Sequence, residues 1–159
     1  MEILNIHHLK NNYISWYHKQ VDFKKINSHT LRVEIPFKDC TMDNIILYAI
    51  FSDDKQTITL CDDGYTLFNL KSQKPELFEQ KPTLKLLYKY IQTFNVNIDE
   101  STEEIYIECV IQNLNESLQS FTQSIICIND LFSNNKISIQ NLSLKDTTND
   151  FLSFNHLLL

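Results

Sequence analysis

Three carboxylates stand where strands are expected to end: Glu34, Asp62 and Asp63. Gathered in space they could hold a hard divalent cation, because Mg²⁺ and Mn²⁺ prefer carboxylate oxygens, and such an ion serves phosphodiester hydrolysis. Asp62 and Asp63 precede Gly64, the single glycine of the chain, within ITLCDDGYTL at 58–67. A restriction-type nuclease core would also place a lysine two positions after an acid on a strand. Asp53-Asp54-Lys55 offers a D-x-K in the hairpin turn, and the strands read from the pattern carry none. There is no G-x-S-x-G and no H-E-x-x-H, and one glycine cannot build a glycine-rich phosphate loop. The competing reading is a strand-to-helix corner. Aspartate supplies acceptors to the free N–H groups that open a helix and suits its positive end. Glycine admits the positive φ that a side chain penalises. We adopt the corner reading for Asp62, Asp63 and Gly64, and expect no catalytic residue, metal or cofactor.

Histidine and cysteine offer no better chemistry. His7, His8 and His18 share one segment, but adjacent residues on a helix point about 100° apart and cannot jointly face one ion. Cys40, Cys61, Cys109 and Cys127 contain no C-x-x-C pair, which argues against zinc. They read as small buried hydrophobes, with Cys61 and Cys109 inside strands.

The periodicity that must position these residues changes along the chain. Ile3, Ile6, Tyr13, Ile14, Tyr17 and Val21 recur at helical spacing, so residues 3–21 read as an amphipathic helix. SHTLRVEIPF at 28–37 alternates as a strand that Pro36 ends. NIILYAIF at 44–51 is almost continuously apolar, as a strand covered on both faces would be. QTITLC at 56–61 completes a three-stranded antiparallel meander through the turn at 52–55. A helix follows Gly64. KPELFEQKP at 74–82 reads as a connecting loop, and a second helix runs from Thr83 to Phe94 with Pro82 before it. An acidic turn at 95–104 precedes a strand at 104–111 and a long helix at 114–132. KISIQNLSL at 136–144 alternates once more as a strand. The expected fold is α+β, an antiparallel sheet of four or five strands packed against three to four helices. Residues 1–133 form the domain, and 134–159 an extension docked on it.

Composition narrows the partners. With 159 residues, 43% hydrophobic and 21% charged, the chain is an ordinary globular one. No apolar run approaches a membrane span and the first residues lack a signal-peptide pattern, so a cytoplasmic protein of a bacterial host cell is expected. The net charge is −6, with Arg32 the only arginine and Ala49 the only alanine. Scarce Gly, Ala, Arg and Pro beside abundant Asn, Ile and Lys follow codon usage in an AT-rich genome. Phosphate and base-edge recognition lean on arginine forks, so direct nucleic-acid binding is not expected.

Ile35-Pro36-Phe37, then Leu60-Cys61-Asp62-Asp63-Gly64-Tyr65-Thr66, and finally Ile128-Asn129-Asp130-Leu131-Phe132 resemble a bacterial and phage family, domain-of-unknown-function family 1828. The similarity runs over roughly residues 15–133, and D-D-G-Y is its best motif. Cys61 stands where members usually carry Ser or Thr. The family turns up on phages and mobile elements. In composition alone, small acidic arginine-poor chains of this kind are also similar to staphylococcal anti-CRISPR inhibitors. The resemblance implies a non-enzymatic inhibitor that occupies a basic surface of a host defence nuclease, steered there by charge. Its contacts would be Asp53 and Asp54 on the hairpin tip and Asp99, Glu100, Glu103 and Glu104 in the acidic turn. The alternatives are a metal-dependent nuclease and a regulatory or scaffold subunit. Monomer and homodimer both stay open.

Overall fold

The computed structural model describes residues 5–133. The chain enters through helix α1 (Ile6–Gln20), whose N-cap Asn5 accepts the backbone N–H of His8 through its side chain. Four strands follow, β1 (Asp22–Lys25), β2 (Thr30–Lys38), β3 (Asn44–Phe51) and β4 (Thr57–Cys61). After the D-D-G corner come α2 (Tyr65–Gln73), the single turn α3 (Pro75–Phe78) and α4 (Lys81–Thr93). Two last strands, β5 (Asn97–Ile98) and β6 (Ile105–Val110), lead through a 3-10 turn into α5 (Leu114–Ser133).

All strand pairs are antiparallel, in the order β1-β2-β3-β4-β6-β5. Alternate residues on each strand share a face. Val33 and Ile35, then Ile45, Leu47 and Ala49, then Ile58 and Leu60, then Ile105 bury themselves beneath the helices. Phe121, Ile125 and Ile128 recur at i, i+4 and i+7 on α5 and are fully buried, which fixes this helix as the centre of the covering layer. Each such side chain contributes about 1.5–3 kcal/mol by leaving water. The result is a two-layer α+β domain.

Several expectations are corrected in detail. β1 was missed because DFKK is short and exposed at every position, an edge strand without an alternating pattern. It also puts a D-x-K, Asp22-Phe23-Lys24, on a strand where none was expected, on the sheet edge three strands from β4 and the Asp62 corner. Pro36 does not end β2. The ladder slips between Ile35 and Lys38 and resumes with Lys38 opposite Asn44, so the proline sits in a bulge. β3 is covered on one face only. Ile46 and Tyr48 are half-buried and Ile50 is exposed on the other, which no helix covers among the described residues. The loop expected at 74–82 contains α3, and α4 starts at Lys81 with Pro82 in its first turn. The acidic turn at 95–104 contains β5. Among the described residues the sheet therefore has six strands, against five α-helices. The strand read at 136–144 and the docked extension at 134–159 lie outside the described residues.

Candidate functional site

The D-D-G corner is built around one buried carboxylate. Asp62 follows β4 and is 2% exposed. Its Oδ1 accepts the N–H of Gly64 at 3.1 Å and of Ile105 at 2.8 Å, and its Oδ2 accepts the N–H of Thr66 at 2.9 Å. The acceptor for the opening N–H groups of α2 thus stands two residues before the N-cap, which is Gly64 itself. Both Asp63 (φ 56°) and Gly64 (φ 71°) lie in the left-handed region. At Gly64 a second constraint applies, since a Cβ there would sit 2.9 Å from the carbonyl oxygen of Thr102. The lone glycine is kept by backbone conformation and by the close passage of the β5–β6 turn.

Burial raises the Asp62 carboxyl above the usual aspartate value, and the hydrogen bonds from Thr66, Ile105 and Gly64 oppose that rise. Burial also pushes the neighbouring Cys61 thiol up to about 12, helped by its hydrogen bond to Glu104. The metal constellation is not assembled. Glu34 lies within β2, two strands away from the end of β4, where Arg32 Nη2 (2.9 Å) and Asn44 Nδ2 (2.8 Å) donate to it. Asp63 is exposed while Asp62 is turned to backbone donors. Among the described residues no group of three His, Cys, Asp or Glu could hold a metal ion.

The two acidic clusters are at opposite ends of the sheet. Asp53 and Asp54 occupy the β3–β4 tip, next to Ile111, whose N–H donates to the Gln56 carbonyl. Asp99, Glu100, Glu103 and Glu104 form the β5–β6 turn beside Asp62, because Cys61 pairs with Tyr106 and Thr57 with Val110. Part of each cluster shapes its own loop. Asp54 accepts from Ser52 Oγ and the N–H of Gln56, and Asp99 from Ser101 and Thr102. Glu103 pairs with Lys71, and Asp53 lies 3.7 Å from His29. Asp53, Asp54, Asp63 and Glu100 remain exposed to solvent.

Two further features complete the surface and its support. Asn129, buried at 3%, accepts the N–H of Cys40 at 3.0 Å and donates to the Ile125 carbonyl at 3.0 Å, tying α5 to the β2–β3 connection. This gives the I-N-D-L-F run a structural role. The residues that sequence reasoning missed are on α1, which buries none of its side chains. Leu9 and Trp16 were left out of its apolar set, and Ile6, Leu9, Tyr13 and Trp16 stand exposed. Their 3-4-3 spacing was the available signal. This helix carries three histidines and two lysines and no acid, which was the other.

A family model described as domain of unknown function DUF1828 matches residues 35–128, from within β2 to within α5, including the D-D-G corner. Searches of curated proteins and of solved structures find no match. The match spans more than half of the chain, and the chain belongs to the DUF1828 family.

Proposed function

We propose that the protein is a non-enzymatic binding protein that inhibits a host defence nuclease, of the RNA-guided type II DNA endonuclease class, by occupying a basic surface on it. The observation that supports this reading is the charge of the folded body. The described residues 5–133 carry seventeen Asp and Glu against twelve Lys and Arg, and the sheet presents exposed carboxylates at both ends. A nuclease that grips nucleic acid offers positively charged grooves, so an acidic ligand gains steering and complementarity there. Among the described residues the one deeply buried carboxylate, Asp62, is engaged by three backbone N–H groups and serves the fold, which leaves the exposed carboxylates as the groups that could meet a partner.

Because the acidic ends are separate, the test treats them separately. Charge reversal of Asp53 and Asp54 forms one variant, and of Asp99, Glu100, Glu103 and Glu104 another. Each is titrated into a guide-loaded nuclease from a low-GC bacterium, with cleavage of target DNA as readout. Loss of inhibition in one variant, with the fold retained by circular dichroism, supports the reading and locates the contact. No inhibition by the unaltered protein at molar excess contradicts it.

A further inference from the structure

Between helix α1 and the rest of the domain runs an open groove of about 520 Å³. One wall is the α1 face of Tyr13, Ile14 and Tyr17, continued by Val21, and the others include Phe23 of β1 and Leu118 of α5. Tyr13 (64%), Ile14 (53%) and Phe23 (58%) are exposed, and α1 buries none of its side chains. The lining holds His18 and no acid. Lys10 precedes Tyr13 and Ile14 by one turn on the same helix face, and Lys25 follows Phe23 by two positions on the same strand face. Both add positive charge at the rim.

We propose that this groove is filled by the chain's own residues 146–159, with Phe151, Phe154 and Leu158 inside it and Asp146 and Asp150 toward the lysine rim. The composition matches. FLSFNHLLL at 151–159 is apolar at six of nine positions, and Phe151, Phe154 and Leu158 recur at i, i+3 and i+7. Asp146 and Asp150 precede this run, and 146–159 holds no Lys or Arg. The reach suffices. α5 ends at Ser133, about 22 Å along its axis from Leu118 at 1.5 Å per residue. Residues 134–150 can extend to about 56 Å, and the strand that alternation predicts at 136–144 alone covers about 30 Å. Tethering decides the occupant. Carried on the end of α5, the segment meets the groove at about millimolar effective concentration, which a separate partner or a second copy making the same contacts has to exceed in solution. Charge decides the place. Another open apolar surface, the sheet face of Ile46, Tyr48 and Ile50, also carries Asp22, Glu34 and Glu108 beside Lys24 and Arg32, acids that the groove lacks. Docked in the groove, the segment clamps α1 to the domain.

The test puts a photo-reactive residue on two different walls, as Ile14→p-benzoylphenylalanine or Phe23→p-benzoylphenylalanine, in the 159-residue chain. Both positions are exposed, so neither change disturbs the core. Irradiation of dilute protein, digestion and mass spectrometry should link both positions to residues 151–159 within a monomer-sized product. Phe151→Asp with Phe154→Asp should lower the yield about tenfold or more, with circular dichroism unchanged. Lys10→Glu with Lys25→Glu should lower it about severalfold, and adding Asp146→Lys with Asp150→Lys should restore it. Links that join two chains and vanish on dilution overturn the proposal in favour of a second copy. Links confined to residues 5–133, no link to 151–159, or a yield that neither pair of changes moves overturns it as well.

Discussion

Asp62 and Ile105 hold each other across 43 positions of the chain: the N–H of Ile105 donates to Asp62 Oδ1 at 2.8 Å, and the N–H of Asp62 donates to the Ile105 carbonyl at 3.2 Å. The same carboxylate opens α2 through Thr66. One side chain therefore joins the end of β4, the start of α2 and the start of β6.

Replacing Asp62 tests this junction. Asp62→Ala leaves three buried N–H groups without their acceptor and should cost about 3 kcal/mol or more. Asp62→Asn keeps one acceptor oxygen and should fall between Ala and the parent. Asp63→Asn should stay within about 0.5 kcal/mol, since Asp63 is exposed and Asn tolerates its left-handed φ. Urea denaturation followed by circular dichroism gives the three values. Calorimetric titration with Mg²⁺ or Mn²⁺ should show no site that Asp62→Asn removes.

Gly64→Ala should destabilise by about 1–3 kcal/mol, from a φ of 71° that alanine disfavours. The Thr102 carbonyl, 2.9 Å from the added Cβ, must also give way. The same urea measurement checks it, and a change within about 0.5 kcal/mol would remove the backbone account of this glycine.

Thiol reactivity should divide the cysteines into classes. Cys61, buried and with its pKa pushed up to about 12, should resist alkylation at pH 8 in the folded protein. Cys109 and Cys127 are half-buried and should react first. Cys40, whose pKa burial also raises, should be slower. Mass spectrometry after timed iodoacetamide treatment reads the order, and urea should abolish it.

Glu34 should give acid sensitivity. The hydrogen bonds from Asn44 and Arg32 hold its carboxyl below the ordinary value of 4.5. A carboxyl whose folded-state pKa is lowered stabilises the fold above its unfolded value, and loses that contribution as pH falls through the folded one. The stability difference between the parent and Glu34→Gln should therefore be full near neutral pH and shrink below about pH 4.5. Denaturation curves across that window test the sign.

The sheet and its helices were largely legible because Val33, Ile35, Leu47, Leu60, Ile105, Phe121 and Ile125 repeat at strand or helix period, and burial follows period. The corner was legible because a chain with one glycine places it beside two aspartates. What the sequence did not reveal depends on tertiary placement. That Asp62 rather than Asp63 accepts the helix N–H groups follows from Ile105, which is remote in sequence. That Glu34 stands apart from Asp62 follows from strand order. The two acidic clusters read alike in sequence, yet β4 and β6 run antiparallel and carry them to opposite ends. α1 looked like a packing helix because amphipathicity marks an apolar stripe without saying what covers it.

The measurement that bears most directly on the inhibitor reading is the rate at which the protein associates with a guide-loaded nuclease as salt is raised from about 0.05 to 0.5 M, where the screening length shortens severalfold. Target cleavage and a gel shift with free nucleic acid are recorded in parallel. An acidic ligand on a basic surface predicts association that slows steeply with salt, cleavage lost near stoichiometry, and no binding to DNA or RNA alone. Unimpaired cleavage at molar excess, or tight binding to free nucleic acid, would contradict it.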